Sequence, residues 1–198
     1  MYRHVFDAKL NLLIGYPKSD TCSTYNSGKN TIEHKENCSI EFEFQKVDRQ
    51  KPITDNNMWY ITMDLQQTMP LPKLLASRAF YLRQVWLYNF GIHCITLSGS
   101  KSYFFTWTED LADRGSTEIA SCLFRFCKLL KEEYLQINHL IIFIWSDSCS
   151  GQNKNFIIVG LYQYLILNGY FKIIEHKFPE EDYSYLYSDR DILNIEKR

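Results

Sequence analysis

The stretch 140–174, "LIIFIWSDSCSGQNKNFIIVGLYQYLILNGYFKII", sets a polar cluster between two strongly apolar runs. Its beginning, "HLIIFIW" (139–145), is a continuous apolar run of the kind expected for a strand buried on both faces. Beyond the polar corner the period becomes helical. Phe156, Gly160 and Tyr164, with Ile157, Leu161 and Leu165, mark a helix over about 152–167, closed by Asn168-Gly169. "YFKIIEHKF" (170–178) reads as the next strand. A strand, a polar corner, a helix and a further strand make the repeating unit of a sheet covered by helices. The corner "WSDSCSGQN" then lies at the carboxyl end of a central strand, where functional groups in such sheets gather.

Upstream, "MWYITMDL" (58–65) is a strand ending near Asp64, and "QQTMPLPKL" follows, with Pro70 and Pro72 expected to stop pairing. "FYLRQVWLYNFGIHCITL" (80–97) has strand composition with a break near Asn89-Phe90-Gly91, and "SYFFTWTE" (102–109) is a third strand. From Ser116, an N-cap candidate with Glu118 in the first turn, apolar residues recur at 119, 120, 123, 124, 127 and 130, which predicts a helix over 116–133. "SDRDILNIEKR" (188–198) opens a last helix capped by Ser188 or Asp189. The order β-β-β-α-β-α-β-α predicts an α/β fold with a mixed five-stranded sheet. Right-handed crossovers place strand 139–145 beside strand 58–64. This order resembles that of the ribonuclease-H-like fold. Residues 1–57 are polar and rich in turn formers, with only "TIEHKENCSIEFEF" suggesting an element, a short helix or a strand. They read as a small N-terminal module and linker ahead of a main domain at 58–198.

With 45% apolar and 16% aromatic residues the chain has ample material for a core. Net charge is −1, so no global basic footprint marks a dedicated nucleic-acid-binding domain. No run reaches the roughly 18 apolar residues of a membrane span, and the start lacks the apolar stretch of a signal peptide. A nuclear or cytoplasmic location, not secretion, is expected. The six cysteines are then free thiols or metal ligands.

The chemistry-bearing candidates are carboxylates at strand ends and at a helix start: Asp64, Asp147, and Asp189 or Asp191, with Glu196 a further choice for the third acid. Three converging carboxylates repel, and a hard divalent cation, Mg2+ or Mn2+, resolves the repulsion. Such ions activate a water or hydroxyl and stabilise the leaving oxygen in phosphodiester chemistry. Bland readings exist for each: Asp147 as the cap of helix 152–167, Asp64 as a solvated strand end, Asp189 and Asp191 as first-turn acids. Ser148 and Cys149 are possible nucleophiles, the latter with His176, but the G-x-S-x-G of a serine-hydrolase elbow is absent. Gln152 or Asn153 could hold a phosphate or order the turn. Cys22, His34 and Cys38 are zinc-type ligands, but the missing fourth ligand weighs against zinc. His93, Cys94, Cys122 and Cys127 lie in apolar runs and read as core, and Tyr81, Trp86, Tyr88, Tyr103 and Trp107 as strand packing rather than base-stacking surfaces.

The blocks "MDLQQTMPLPKL", "YLRQVWLYNFGIHC", "WTEDLADRGSTEIASCL", "WSDSCSGQNKN" and "HKFPEEDYSYLYSDRDILNIEK" resemble, in order, those of an uncharacterised family of transposase-derived domains. That family is similar to the ribonuclease-H-like DDE/D transposase superfamily. The resemblance spans about residues 11–197. It implies metal-dependent DNA cleavage and strand transfer by ancestry, with Asp64, Asp147 and Asp189, closely followed by Asp191, at the positions of the acidic residues. The sequence departs from the family pattern at Tyr25, at Asp182-Tyr183 and at Asp191-Ile192-Leu193. Those changes suggest a diverged copy and put catalysis in doubt, so that the alternative to a transposase-like enzyme is an inactive binding or interaction module.

Overall fold

The computed structural model describes residues 32–71, 83–133, 140–179 and 186–196. Helix α1 (Ile32–Thr54) leads into β1 (Met58–Leu65), β2 (Met69–Leu71), β3 (Val85–Thr96), β4 (Gly99–Thr108), α2 (Ser116–Glu133), β5 (Ile141–Trp145), α3 (Phe156–Leu167), β6 (Ile173–Lys177) and α4 (Tyr187–Glu196). The sheet is mixed and six-stranded. β4 pairs antiparallel with β3, β3 antiparallel with β1, β1 parallel with β5, and β5 parallel with β6. The expected adjacency of the 58–65 and 139–145 segments is present, with Thr62 opposite Trp145.

The sixth strand corrects the expected count of five. β2 pairs with the free end of the long β3, Pro70 lying opposite Trp86. In an antiparallel pair only alternate residues exchange ladder bonds, so a proline at a non-donating position is tolerated. The expected break at 89–91 is absent too. Asn89 is buried, and its amide N–H donates to Gln66 Oε1 at 2.8 Å, which offsets part of the penalty of a polar side chain there, its Oδ1 having no partner among the described residues. Gly91 has a packing role instead. A Cβ at this position would stand 3.2 Å from Ile192 Cγ1 and Cδ1, so the missing side chain lets α4 settle onto β3. Gly91→Ala is expected to lower stability by about 1–2 kcal/mol through overpacking. Thermal melts check this: an unchanged midpoint would mean that α4 is not seated tightly here.

Strand alternation divides the core into two faces. Trp59, Ile61 and Met63 of β1, Phe90 and Ile92 of β3, and Ile142 and Ile144 of β5 point to one side. There they meet Ile119, Leu123, Phe126 and Leu130 of α2 and Ile158 and Leu165 of α3. Ile119, Leu123, Cys127 and Leu130 of α2 are buried as the spacing predicts, Phe126 is buried in addition, Ala120 and Phe124 are only partly buried, and the helix bounds agree. The cap is Gly115 rather than Ser116: Glu118 reaches back to accept from the Gly115 N–H at 3.1 Å, half of a capping box. α3 starts later than expected, at Phe156, and Phe156 itself is 93% exposed. The helix is apolar nearly all round, so periodicity did not say which stripe is buried. Its C-terminus closes as expected, Gly169 taking φ 69° and Tyr170 N–H donating to the Leu165 carbonyl at 2.9 Å.

The opposite face carries Tyr60, Phe143, Trp145 and Leu186. α1 and α4 cover it, α1 being a 23-residue helix where the sequence suggested a short element and a linker. Its apolar residues Ile40, Phe44 and Val47 remain largely exposed, so no apolar stripe announces it. A polar anchor holds it instead. Asp48 is 2% exposed and accepts from Trp145 Nε1 at 3.1 Å, Lys177 Nζ at 2.7 Å and Lys51 Nζ at 2.7 Å. No helix among the described residues is long and apolar enough to cross a membrane.

Candidate functional site

Asp64 follows Tyr60 and Thr62 on the α1/α4 face of β1, near its carboxyl end. Asp147 lies two residues past Trp145 on the neighbouring parallel strand, and Asp64 two residues past Thr62, the partner of Trp145. Adjacent strands run about 4.8 Å apart, so this register brings the two backbone positions side by side. Asp189 is in the first turn of α4, whose start is tied to β1 by the Ser188 N–H donating to Thr62 Oγ1 at 3.0 Å. A strand end, a strand-end corner and a helix start thus meet on one face.

The electrostatics show the meeting. Burial pushes the Asp64 carboxyl up to about 7, with the charges of Asp189 and Asp147 adding to the rise and the Leu65 N–H and Arg114 opposing it. Burial likewise raises Asp189 to about 6, with Asp147 contributing, against hydrogen bonds from the Leu186 and Ser188 groups. The sequence did not single out Arg114. Its only signal is position, directly before the Gly115 cap of α2, where a long cation reaches toward the end of β1.

Each carboxylate also has a local partner. Asp189 accepts from the Leu186 N–H at 3.0 Å, capping α4. Asp147 accepts from Asn153 Nδ2. Asp147 is not the cap of α3, as one bland reading had it. That cap is Asn155, whose Oδ1 accepts from Ile157 and Ile158 N–H. Asn153 is 2% exposed, and its Oδ1 has no hydrogen-bond partner among the described residues. Asp191 belongs elsewhere. It accepts from His93 Nδ1 at 2.5 Å and Ser102 Oγ at 2.6 Å, fastening α4 to β3 and β4. His93 is therefore a clasp, not the plain core residue expected, whereas Cys94 and Cys127 are buried as expected. Tyr103 packs edge-on against Phe126 and Tyr88 tilts against Trp107, in accord with strand packing, while Trp86 is 41% exposed. Tyr25, Tyr81, Cys22 and residues 182–183 lie outside the described residues, as do the side chains of His34, Cys38 and Glu196.

The hydrolase alternative loses its base. His176 takes a proton bond from Tyr162 OH at its Nδ1 (2.8 Å) and donates from Nε2 to Ser146 Oγ (2.8 Å), which in turn donates to the Asp147 carbonyl (2.9 Å). Both ring nitrogens are engaged, and burial lowers its pKa to about 3. Cys149 is exposed, and its carbonyl accepts from the Gln152, Asn153 and Lys154 amides, the work of a turn former.

Three carboxylates, two of them with raised protonation, are hard oxygen donors of the kind a divalent cation or its water shell takes. Among the described residues no group of three His, Cys, Asp or Glu is already gathered closely enough to grip one. The donor types are those a hard cation takes, and Asp189 keeps acceptor sites beyond the one its cap uses.

No known protein family and no curated protein matches the chain. Among solved structures it is similar to the crystal structure of a pre-cleavage Mos1 transpososome, at 11% identity and a TM-score of 0.45. The match covers 98% of this chain and 56% of that one, so the chain spans little more than half of the protein it resembles.

Proposed function

We propose that the chain is a transposase-like protein of ribonuclease-H-like fold, whose Asp64, Asp147 and Asp189 hold Mg2+ or Mn2+ and act on DNA phosphodiesters. The observation that carries this reading is the gathering of three carboxylates from β1, the β5 corner and α4 toward one face by the β1–β5 register and the Ser188–Thr62 bond, where burial raises Asp64 to about 7 and the charges of Asp189 and Asp147 add to the rise. The strand order β4-β3-β1-β5-β6 supports it, as the order the ribonuclease-H-like reading requires. The bound cation would supply charge neutralisation and an activated hydroxyl or water at the phosphate. Asp147, held in orientation by Asn153, would help hold the cation. Asp64 and Asp189 would be its other protein ligands. Asp191 would hold α4 through His93 rather than touch the substrate.

A second reading is a catalytically inactive module derived from a transposable element. It is favoured by Asp189 serving as a helix cap. Incubation of the chain with supercoiled DNA and Mn2+ separates the two. Nicking that vanishes in Asp147→Asn and in EDTA supports the enzyme. Absence of nicking in the wild type, with the fold intact by circular dichroism, supports the inactive module.

A further inference from the structure

A cavity of about 470 Å3 opens between α1 and α4, on the outer side of Asp189. Its volume falls within the roughly 300–1,000 Å3 of small-ligand sites, large for a water cluster and narrow for a duplex. One wall is apolar, formed by Phe42, Leu186 and the Tyr187 ring. The rim is cationic, with Lys46, Arg49 and Arg190. The two arginines are held rather than loose: their guanidinium carbons stand 5.1 Å and 4.8 Å from the centroid of Tyr187. Tyr187 is itself stacked on His93 at 5.3 Å. An arginine lying on a ring is oriented by the face while its in-plane N–H edge stays available to an anion. Neither arginine has a carboxylate partner among the described residues, whereas Lys46 pairs with Glu43 at 2.5 Å. Two ring-oriented cations, without an ion-pair partner among the described residues although Asp189 shares the lining, stand beside an apolar wall and fit a ligand that is anionic at one end and apolar and planar at the other.

We propose that this cavity seats one unpaired nucleotide of a nucleic-acid strand, its base against Phe42 and Leu186 and its phosphate on Arg49 and Arg190. The identity of the ligand rests on the nucleic-acid reading above; the charge and shape of the cavity do not. Because Asp189 lines the same cavity, the strand would pass from this seat directly to the acidic site. Duplex DNA presents no free base at this depth, so a strand entering here is unpaired, by fraying or by extrusion. The net charge of −1 is compatible, since a seat for one nucleotide needs a local cation pair and not a basic face.

The test is fluorescence anisotropy of the whole chain with labelled oligo(dT) of about 15 nucleotides, the upper span of single-strand site sizes. EDTA is present throughout, so the acidic site contributes no metal-bridged binding. Oligo(dT) is expected to bind about tenfold tighter than a hairpin duplex of equal length. Arg49→Glu and Arg190→Glu should each weaken it about tenfold and make the salt dependence shallower by about one ion. Arg125→Glu, the same charge change on exposed α2, should leave it unchanged. If Arg49→Glu disturbs folding, Lys46→Glu on the exposed rim should still weaken binding about threefold. Equal affinity for single strand and duplex overturns the proposal, and so does wild-type affinity in the reversed-charge variants. Asp64→Asn keeps the two readings apart: it should bind oligo(dT) normally in EDTA even where DNA nicking fails.

Discussion

Asp64→Asn should make the metal-free protein more stable than wild type at pH 8, by about 2–4 kcal/mol. An acid raised in the folded state binds its proton more tightly there than in the unfolded chain. Between the unfolded value near 3.8 and the folded value of about 7, the folded state holds more protons, so wild-type stability falls as pH rises through that window. At about 1.36 kcal/mol per pH unit the rise corresponds to about 4 kcal/mol, an upper figure because the ionised site can relax. Asparagine removes the charge and Asp64's share of the dependence, leaving the smaller share of Asp189. Urea denaturation at pH 4 and pH 8 is the measurement: the two proteins should be close at pH 4 and diverge at pH 8. Adding Mg2+ or Mn2+ at pH 8 should recover stability in wild type, by about 2.7 kcal/mol at a hundredfold excess over the dissociation constant, and little in the variant. A wild type that falls no further than the variant between the two pH values would remove the electrostatic case for a shared site.

The second large effect is Asp48→Asn, expected to destabilise by about 2–3 kcal/mol at neutral pH. Breaking a buried ion pair is worth about 3–5 kcal/mol. The lower range applies because the Lys177 and Lys51 side chains are 33% and 35% exposed and can turn to water. The pair is what joins α1 to β5 and β6, so hydrogen exchange should show α1 opening first. The pH dependence has the opposite sign to that of Asp64. Burial alone would raise Asp48, but the hydrogen bonds and charges of Lys177 and Lys51 outweigh it and hold its carboxyl below the ordinary value. Its contribution is therefore present above about pH 4 and lost as pH falls through the folded value. The stability gap between Asp48→Asn and wild type should close on acidification. A gap that persists at pH 2 would assign the loss to packing and not to the ion pair.

The pattern of one-sided apolar spacing at Ile119, Leu123 and Leu130, and the uninterrupted run at 141–145, determined α2, β5 and their place against the sheet. Hydrophobic periodicity is local, so it can be read without knowing what lies opposite. The same is true of Gly169, whose positive φ a helix end requires. The sequence also named Asp64, Asp147 and Asp189, because strand ends in an alternating fold have known neighbours. What it could not supply were properties made by two distant segments at once. Asp48 is 129 residues from Lys177, and nothing local marks α1 as more than a polar stretch. Gly91 looked like a strand break because its partner, Ile192, arrives from the far end of the chain. Asp189 and Asp191 are two residues apart and equivalent by composition. Only α4's placement sends Asp189 toward Asp64 and Asp191 to His93, since helical residues two apart point to different sides. Burial and charge at Asp64 likewise exist only once β1, the β5 corner and α4 are folded against one another. Local patterning thus determined the elements and their order, and long-range contact decided which acids face each other and what holds them there.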